Sequence, residues 1–419
     1  MTRTRPRSLA TVVASLSTVL LAVPTALATA TAHADAPTDP EAETLQSQQW
    51  LTGYWHNFDN DSTVLELGDV PDAYNVVAVA FADNHPTLPG GITFNLNSDE
   101  LGGYSEQEFV DDIAELQDEG RRVVISVGGE LGHVDVTNPT EAENFAQTTQ
   151  DLMDEYGFDG VDIDLEHGID AEHLGSALHT LEDAVTAAGD DLMLTMAPQT
   201  LDFQFPDGYY ELAGNVADIL TVVHTQYYNS GSMMGCDDQV YSQGTVDFVT
   251  AQACILIEDI GLAPEQVALG LPAIPEAAPA GGYQPPADVI RAIECLEEGT
   301  GCGDFSPETP YGEIGGAMTW SVNWDATNGY AFADAVGGHL GTGDTPGDPG
   351  DPGDPGDPGD PGDPGDPGEC EVPQWTAGDV YTSGDQVSYE GFVYEARHWT
   401  QGDTPEHTQW GPWEQLGSC

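Results

Sequence analysis

The stretch Phe158-Asp159-Gly160-Val161-Asp162-Ile163-Asp164-Leu165-Glu166 constrains this chain more than any other. Side chains alternate between the two faces of a β-strand. Val161, Ile163 and Leu165 therefore share one face, and Asp162, Asp164 and Glu166 share the other. Carboxylates in file, with Cα atoms roughly 6–7 Å apart, are costly to bury. They also resist ionising together, so at least one is expected to hold its proton near neutral pH. A carboxylic acid kept protonated beside ionised neighbours is what general acid catalysis requires. The competing reading is an edge strand with a wetted acidic face. Against it, Gly157 and Gly160 punctuate the strand, its second face is wholly apolar, and a helical segment follows from about Ala171. An apolar face covered by helices leaves the acids pointing inward, as in a barrel.

From Trp50 onward, predicted strands alternate with helical stretches, the pattern of parallel α/β architecture. The strands are Leu51–Trp55, Val76–Ala82, Arg122–Val127, Gly160–Asp164, Leu192–Ala197, Ile219–Gln226, Val267–Leu271 and Gly316–Trp320. Helices are expected over Ser105–Glu119, Glu141–Tyr156, Ala171–Ala188, Val246–Ile260 and Ala287–Glu297. Eight such units suit a (β/α)8 TIM barrel over residues 49–340, with its chemistry at the C-terminal strand ends. A doubly wound open sheet is the alternative.

Asp159-Gly160-Val161-Asp162-Ile163-Asp164-Leu165-Glu166 resembles the D-G-x-D-x-D-x-E signature of family 18 glycoside hydrolases, the chitinase family. The resemblance continues at Ser126-Val127-Gly128-Gly129, similar to the family's S-x-G-G stretch. It continues again at Gln226-Tyr227-Tyr228-Asn229, which follows the Gln-x-Tyr-Asn of one bacterial branch, and at Trp320 on the eighth strand. It implies a retaining mechanism in which the substrate's own acetamido oxygen is the nucleophile. Glu166 would be the general acid and base, Asp164 would orient the acetamido group, and Asp162 would share a proton with Asp164. Tyr228 would donate to the acetamido oxygen, with Gln226 and Asn229 beside it and Trp320 as the floor of the cleavage subsite. Tyr54, Phe81 and Met196 are expected as pocket walls, and Ser126 is placed in the substrate site or on the inner aspartate. Asp159, on the odd spacing, reads as structural. The span between the seventh and eighth strands is too short for an inserted α+β subdomain. An open groove and endo-type cutting of chitin and N-acetylglucosamine oligomers follow. The alternatives are an endo-β-N-acetylglucosaminidase acting on glycans and a non-catalytic chitin-binding lectin.

Arg3, Arg5 and Arg7 precede an apolar run to about Ala30 and a small-x-small site at Ala32-His33-Ala34. Residues 1–34 read as a secretory signal peptide and residues 35–48 as a loose segment, so the expected location is extracellular. The chain has 7 basic residues against 73 acidic ones, a formal charge of −66, and contains no lysine. Nucleic acid and anionic membranes are excluded as partners on that balance, and a salt-rich habitat is implied. A monomer is expected, with no cofactor and no metal. Six cysteines allow 15 pairings. The simplest is Cys236–Cys254, Cys295–Cys302 and Cys370–Cys419.

Pro-Gly-Asp repeats seven times between Pro346 and Asp366. Glycine at every third position invites a collagen reading, but short length and an aspartate in each triplet favour an extended linker, 341–369. Residues 370–419 are dense in aromatics and resemble the chitin-binding modules of carbohydrate-binding families 5 and 12. The carriers are Gly391-Phe392-Val393-Tyr394-Glu395-Ala396, Trp399-Thr400-Gln401-Gly402-Asp403 and Trp410-Gly411-Pro412-Trp413. The resemblance implies that Trp399, with His398 beside it, contacts the sugar, while Trp375 is expected in the module's core.

Overall fold

A computed structural model describes residues 49–342 of the 419-residue chain. In the C-terminal segment it describes residues 373, 375–376, 380–381, 386–389, 392–397, 400–401, 405 and 413–418. The expected signal peptide, the 35–48 segment, all but the first two linker residues, His398, Trp399, Cys370 and Cys419 lie outside the described residues.

Eight parallel strands form one sheet: β1 (Trp50–His56), β2 (Val76–Asn84), β3 (Arg122–Gly129), β4 (Gly160–Leu165), β5 (Met193–Met196), β6 (Val222–Gln226), β7 (Val267–Pro272) and β8 (Gly316–Trp320). Trp50 of β1 lies opposite Gly316 of β8, and Thr52 of β1 opposite Val76 of β2. That double pairing closes a barrel and excludes the doubly wound alternative, which keeps two free edges. Every predicted strand is present. The largest boundary difference is at β6, which begins at Val222 because Leu220 and Thr221 still belong to the turn that enters it.

The covering helices form where apolar residues recur at helical spacing and a polar residue starts the turn. Helix α1 (Glu106–Asp118) opens with a capping box between Ser105 and Glu108. Helix α2 (Pro139–Tyr156) is capped by Asn138, and α3 (Ala171–Ala188) by Asp170. Leu174, Ala177, Leu178, Leu181 and Val185 form the buried stripe of α3. Together α2 and α3 flank β4 and hold its apolar face against the outer core, where Val161, Ile163 and Leu165 are buried. Beyond them lie α4 (Tyr209–Asn215), α5 (Val246–Cys254) and α6 (Pro286–Glu298). None of α1 to α6 has a lysine or arginine in its last turn. The predicted helix Val246–Ile260 widens after Cys254 into a π-helical segment, Ile255–Ile260.

The barrel interior is a separate, smaller core that includes Trp50, Tyr54, Val76, Val124, Met193, Val222 and Met318. In the C-terminal unit, strands Gln386–Tyr389, Phe392–Ala396 and Trp413–Ser418 make an antiparallel sheet over Tyr381, Val387, Tyr394, Ala396 and Trp413. Trp375 packs against that cluster with Tyr389, as expected of a core residue.

Candidate active site

Register builds the site. Asp162 on β4 lies directly opposite Ser126 on β3 and Thr195 on β5, so all three face inward at one level. The Ser126 hydroxyl donates to Asp162 Oδ2 at 2.6 Å and the Thr195 hydroxyl to Oδ1 at 2.6 Å. From β1, the Tyr54 hydroxyl reaches Oδ2 at 2.6 Å. Asp162 is fully buried. Burial raises its pKa, and the three hydroxyl donors pull it back. Asp164 has no such support. It receives one donor, Gln226 Nε2 at 2.9 Å, and sits between two other carboxyl groups. Burial first, then Asp162 and Glu166, hold its pKa well above the usual carboxylate range. Glu166, at the strand tip and half-buried, is raised by burial. Asp162 is thus the carboxyl best supplied to carry charge, and Asp164 the one that keeps its proton.

Glycine permits this crowding. A Cβ on Gly128 would stand 2.1 Å from the carbonyl oxygen of Asp164, and one on Gly129 would meet the Phe81 ring at 2.7 Å. Phe81 in turn lies parallel to Trp320, ring centroids 5.8 Å apart, with Tyr54 edge-on to Trp320 at 5.5 Å. Trp320 and Phe81 are half-buried and form an aromatic surface at the mouth. Phe58, half-buried, extends it, and the fully buried His56 backs it, its ring stacked on Phe58 at 4.7 Å and packed on Trp320.

Three expectations need correction. Tyr54 is buried beneath Trp320 and serves Asp162, so it is a support and not a wall. Ser126 is likewise fully buried: of its two expected places it takes the one on the inner aspartate, Asp162, and not the one in the sugar-contacting set. Met196 is no pocket wall: inward-facing Thr195 precedes it, and Met196 packs in the outer core with the barrel's helices. Gln226, expected beside the acetamido group, lies among the acids. Its Nε2 lies 2.9 Å from Asp164 Oδ1, 2.9 Å from the Ala197 carbonyl and 3.2 Å from Glu166 Oε1. Tyr228 is nearly buried, and burial first, then the nearby acid file, raises the pKa of its hydroxyl and leaves it a donor. Asn229 is exposed, takes a left-handed backbone (φ 52°), and its Oδ1 accepts from Ala280 N at 3.0 Å. One lone pair of its acceptor is therefore engaged by the loop at Ala280.

Sequence reasoning missed Thr195, Gln199, Asp202 and His56. Gln199 Nε2 stands 3.3 Å from Glu166 Oε2, and Asp202 Oδ2 accepts from Gln199 N at 2.8 Å. Asp202 is half-buried, and that burial raises its pKa to about 6. A signal existed for Thr195 alone: it is the single polar residue in Met193-Leu194-Thr195-Met196. Asp159 is structural, as read. It pairs with Arg122 Nη1 at 2.8 Å and accepts from Val123 N at 2.8 Å. The pairings Cys236–Cys254 and Cys295–Cys302 are both formed. The first ties the hairpin Ser232–Met234/Val240–Ser242, which follows Tyr228, to α5.

Residues 51–341 match the family model for glycosyl hydrolases family 18, and residues 374–414 match carbohydrate-binding module family 5/12. Chitinase D of Niallia circulans is 36% identical over 323 residues, 68% of this chain and 60% of that protein. Chitinase Chi52 of Paenibacillus xylanexedens is also 36% identical, with the same coverage. The chain thus spans about 60% of the length of these curated relatives. Among solved structures, a candidate chitinase A of Streptomyces coelicolor shares 51% identity over 71% of this chain and 99% of its own, at a TM-score of 0.67. A family GH18 chitinase of Chromobacterium violaceum shares 32% over 71% and 86%, at 0.64. The family match covers the whole barrel, including every acid of the file, and on that ground the chain belongs to family 18 of the glycosyl hydrolases.

Proposed function

We propose that this protein is a secreted chitinase that cuts β-1,4-linked N-acetylglucosamine chains internally, with retention and with the sugar's acetamido group as nucleophile. The observation that carries the reading is the unequal support along the acid file: Asp162 bound by three hydroxyls, Asp164 by one amide and so pushed towards its protonated form, and a half-buried acid, Glu166, at the mouth. Glu166 gives its proton to the glycosidic oxygen as that bond breaks. The acetamido oxygen bonds to the anomeric carbon, and the ring it closes carries a positive charge. Asp164 passes its proton down to Asp162 and, now ionised, accepts from the acetamido N–H and offsets that charge. Tyr228 donates to the acetamido oxygen and fixes its direction. The glutamate left behind then takes a proton from water, whose oxygen attacks the same carbon. The bond from that carbon to the acetamido oxygen breaks, its electron pair returns to the acetamide and neutralises the positive charge, and the first configuration is restored. A substrate without an N-acetyl group offers no nucleophile, so cellulose is not cleaved.

Curated relatives with the same barrel are named chitinases, which supports the substrate. Residues 273–315, between β7 and β8, hold one short 3-10 turn and α6 but no strand among the described residues, in keeping with an open groove and endo cleavage. An intact Glu166 argues against a lectin, and the carbohydrate-binding module at 374–414 argues for an insoluble polymer over a glycoprotein glycan. We place the signal peptide at 1–34, the barrel at 49–340, the linker at 341–369 and the module at 370–419. With no lysine and a charge of −66, we assign it to a high-salt medium. Release of soluble N-acetylglucosamine oligomers from chitin tests the reaction. Glu166→Gln should lower it roughly 10²–10⁴-fold while leaving the fold intact. Undiminished release would overturn the assignment of the acid.

A further inference from the structure

Both oxygens of Glu166 are met by a side-chain amide, but the two contacts are not equivalent. Gln226 Nε2 has two hydrogens and three acceptors in reach. The two shorter contacts, 2.9 Å each, go to Asp164 Oδ1 and the Ala197 carbonyl, and the longest, 3.2 Å, goes to Glu166 Oε1. Gln199 Nε2 has one partner, Glu166 Oε2 at 3.3 Å. Its backbone is held from two sides: Gln199 N donates to Asp202 Oδ2 at 2.8 Å, and the residue forms a bridge with Gln226. A carboxyl oxygen that receives an amide hydrogen is the poorer place for the acid's own proton.

We propose that Gln199, held by Asp202, is a positioning residue that reserves Oε2 of Glu166 as the hydrogen-bond acceptor and so directs the catalytic proton to Oε1. The inference rests on Glu166 being the acid, as assigned above. Gln199 acts through Glu166 and touches no reacting atom. Asp202 has a second effect: the charge of Glu166 raises the pKa of the half-buried Asp202, and because repulsion between two charges is mutual, an ionised Asp202 opposes ionisation of Glu166. The other titratable groups facing Glu166 are Asp164 on its own strand, Glu130 after β3, His167 next in the chain and Tyr228 after β6. Changing residue 199 replaces none of these groups, whereas removing the charge of Asp202 also relieves Asp164, whose pKa that charge raises, and so acts on Glu166 in the same downward direction.

The two side chains therefore pull Glu166 in opposite directions, and that opposition is the test. An N–H donor stabilises the ionised carboxylate, so losing it raises the pKa of Glu166; losing a nearby negative charge lowers it. The pH profile of kcat/KM on a soluble, fluorogenic N-acetylglucosamine oligomer reads the change on its basic limb, where the acid loses its proton. With Gln199→Leu we expect that limb to move up by about one pH unit and kcat to fall about tenfold with KM little changed. Asp202→Asn keeps an acceptor for Gln199 N and removes the charge, so the limb should move down. Gln199→Met, close to the original in length, uncharged and without the donor, should move it up as Gln199→Leu does and decides the matter if the leucine variant fails to fold. Limbs that stay fixed, or that move together, overturn the role of Gln199 provided Glu166→Gln is inactive. An active Glu166→Gln would instead overturn the assignment of the acid on which the inference rests.

Discussion

Asp162 and Asp164 are the same residue two positions apart in one barrel, and what separates them is the number of donors each receives: three hydroxyls against one amide. The protonated neighbour has a measurable effect on stability. Because the fold raises the pKa of Asp164, the native chain binds more protons than the unfolded one from about pH 4 upward. Stability therefore falls as pH rises through that window, up to the folded pKa. Asp164→Asn removes the contribution. Its Tm should fall less steeply above about pH 4 and at pH 7 should lie above wild type by roughly 2–4 °C per kcal/mol relieved, while activity drops roughly 10²–10⁴-fold. Thermal melts across pH, with the oligomer assay beside them, check both halves. The acid file was fully legible in the sequence because its two faces differ so sharply in chemistry. β5 was not. Apart from Thr195, Leu192-Met193-Leu194-Thr195-Met196 is apolar on both faces, since one packs in the barrel interior and the other against helices. One hydroxyl is then the only mark of the inward face, and the pocket wall expected at Met196 falls on the opposite face from Thr195. Gln199 and Asp202 sit in a turn, where no periodicity exists to announce them.

At the level of elements, the barrel strands and helices α1 to α3 could be read because polar caps and apolar stripes agree with one another. The connections could not, because their shape depends on contacts made after the barrel closes. The hairpin after Tyr228 is such a case, and the Cys236–Cys254 bond holds it to α5. The two cysteines are 18 residues apart in sequence, for which loss of the cross-link costs about 3 kcal/mol in the chain-entropy account. Replacing both by serine should lower the Tm by several degrees in calorimetry without moving either limb of the pH profile, since neither cysteine faces Glu166. The end of β3 is less forgiving. Gly128→Ala sets a methyl 2.1 Å from the Asp164 carbonyl oxygen at a backbone φ of +123°. That change should destabilise the barrel and abolish activity together, and a Gly128→Ala protein with wild-type melting and turnover would refute the packing described for β3 and β4.

For the molecule as a whole, the linker and C-terminal module should matter in proportion to how insoluble the substrate is. A chain ending at Leu340 should keep most of its rate on soluble oligomers and lose about tenfold or more on chitin particles, because the tether raises local concentration without adding a contact at the acids. Equal losses on both substrates would assign the module another role. Charge acts on the same scale. Self-repulsion at −66 should make the melting temperature climb with salt towards ~1 M, where screening reaches about 3 Å, and a flat profile would sink the high-salt assignment. The ends of the helices add a consequence of a different kind. Helices α1 to α6 finish without a lysine or arginine in their own last turn, so none supplies from its own sequence a side-chain cation of that kind to the partial negative charge at its end. Where dissolved cations take that place, they act as reactants in folding. The slope of the logarithm of the folding constant against the logarithm of salt activity then counts the ions taken up, and mass action makes the ionic medium a stoichiometric component of the native state.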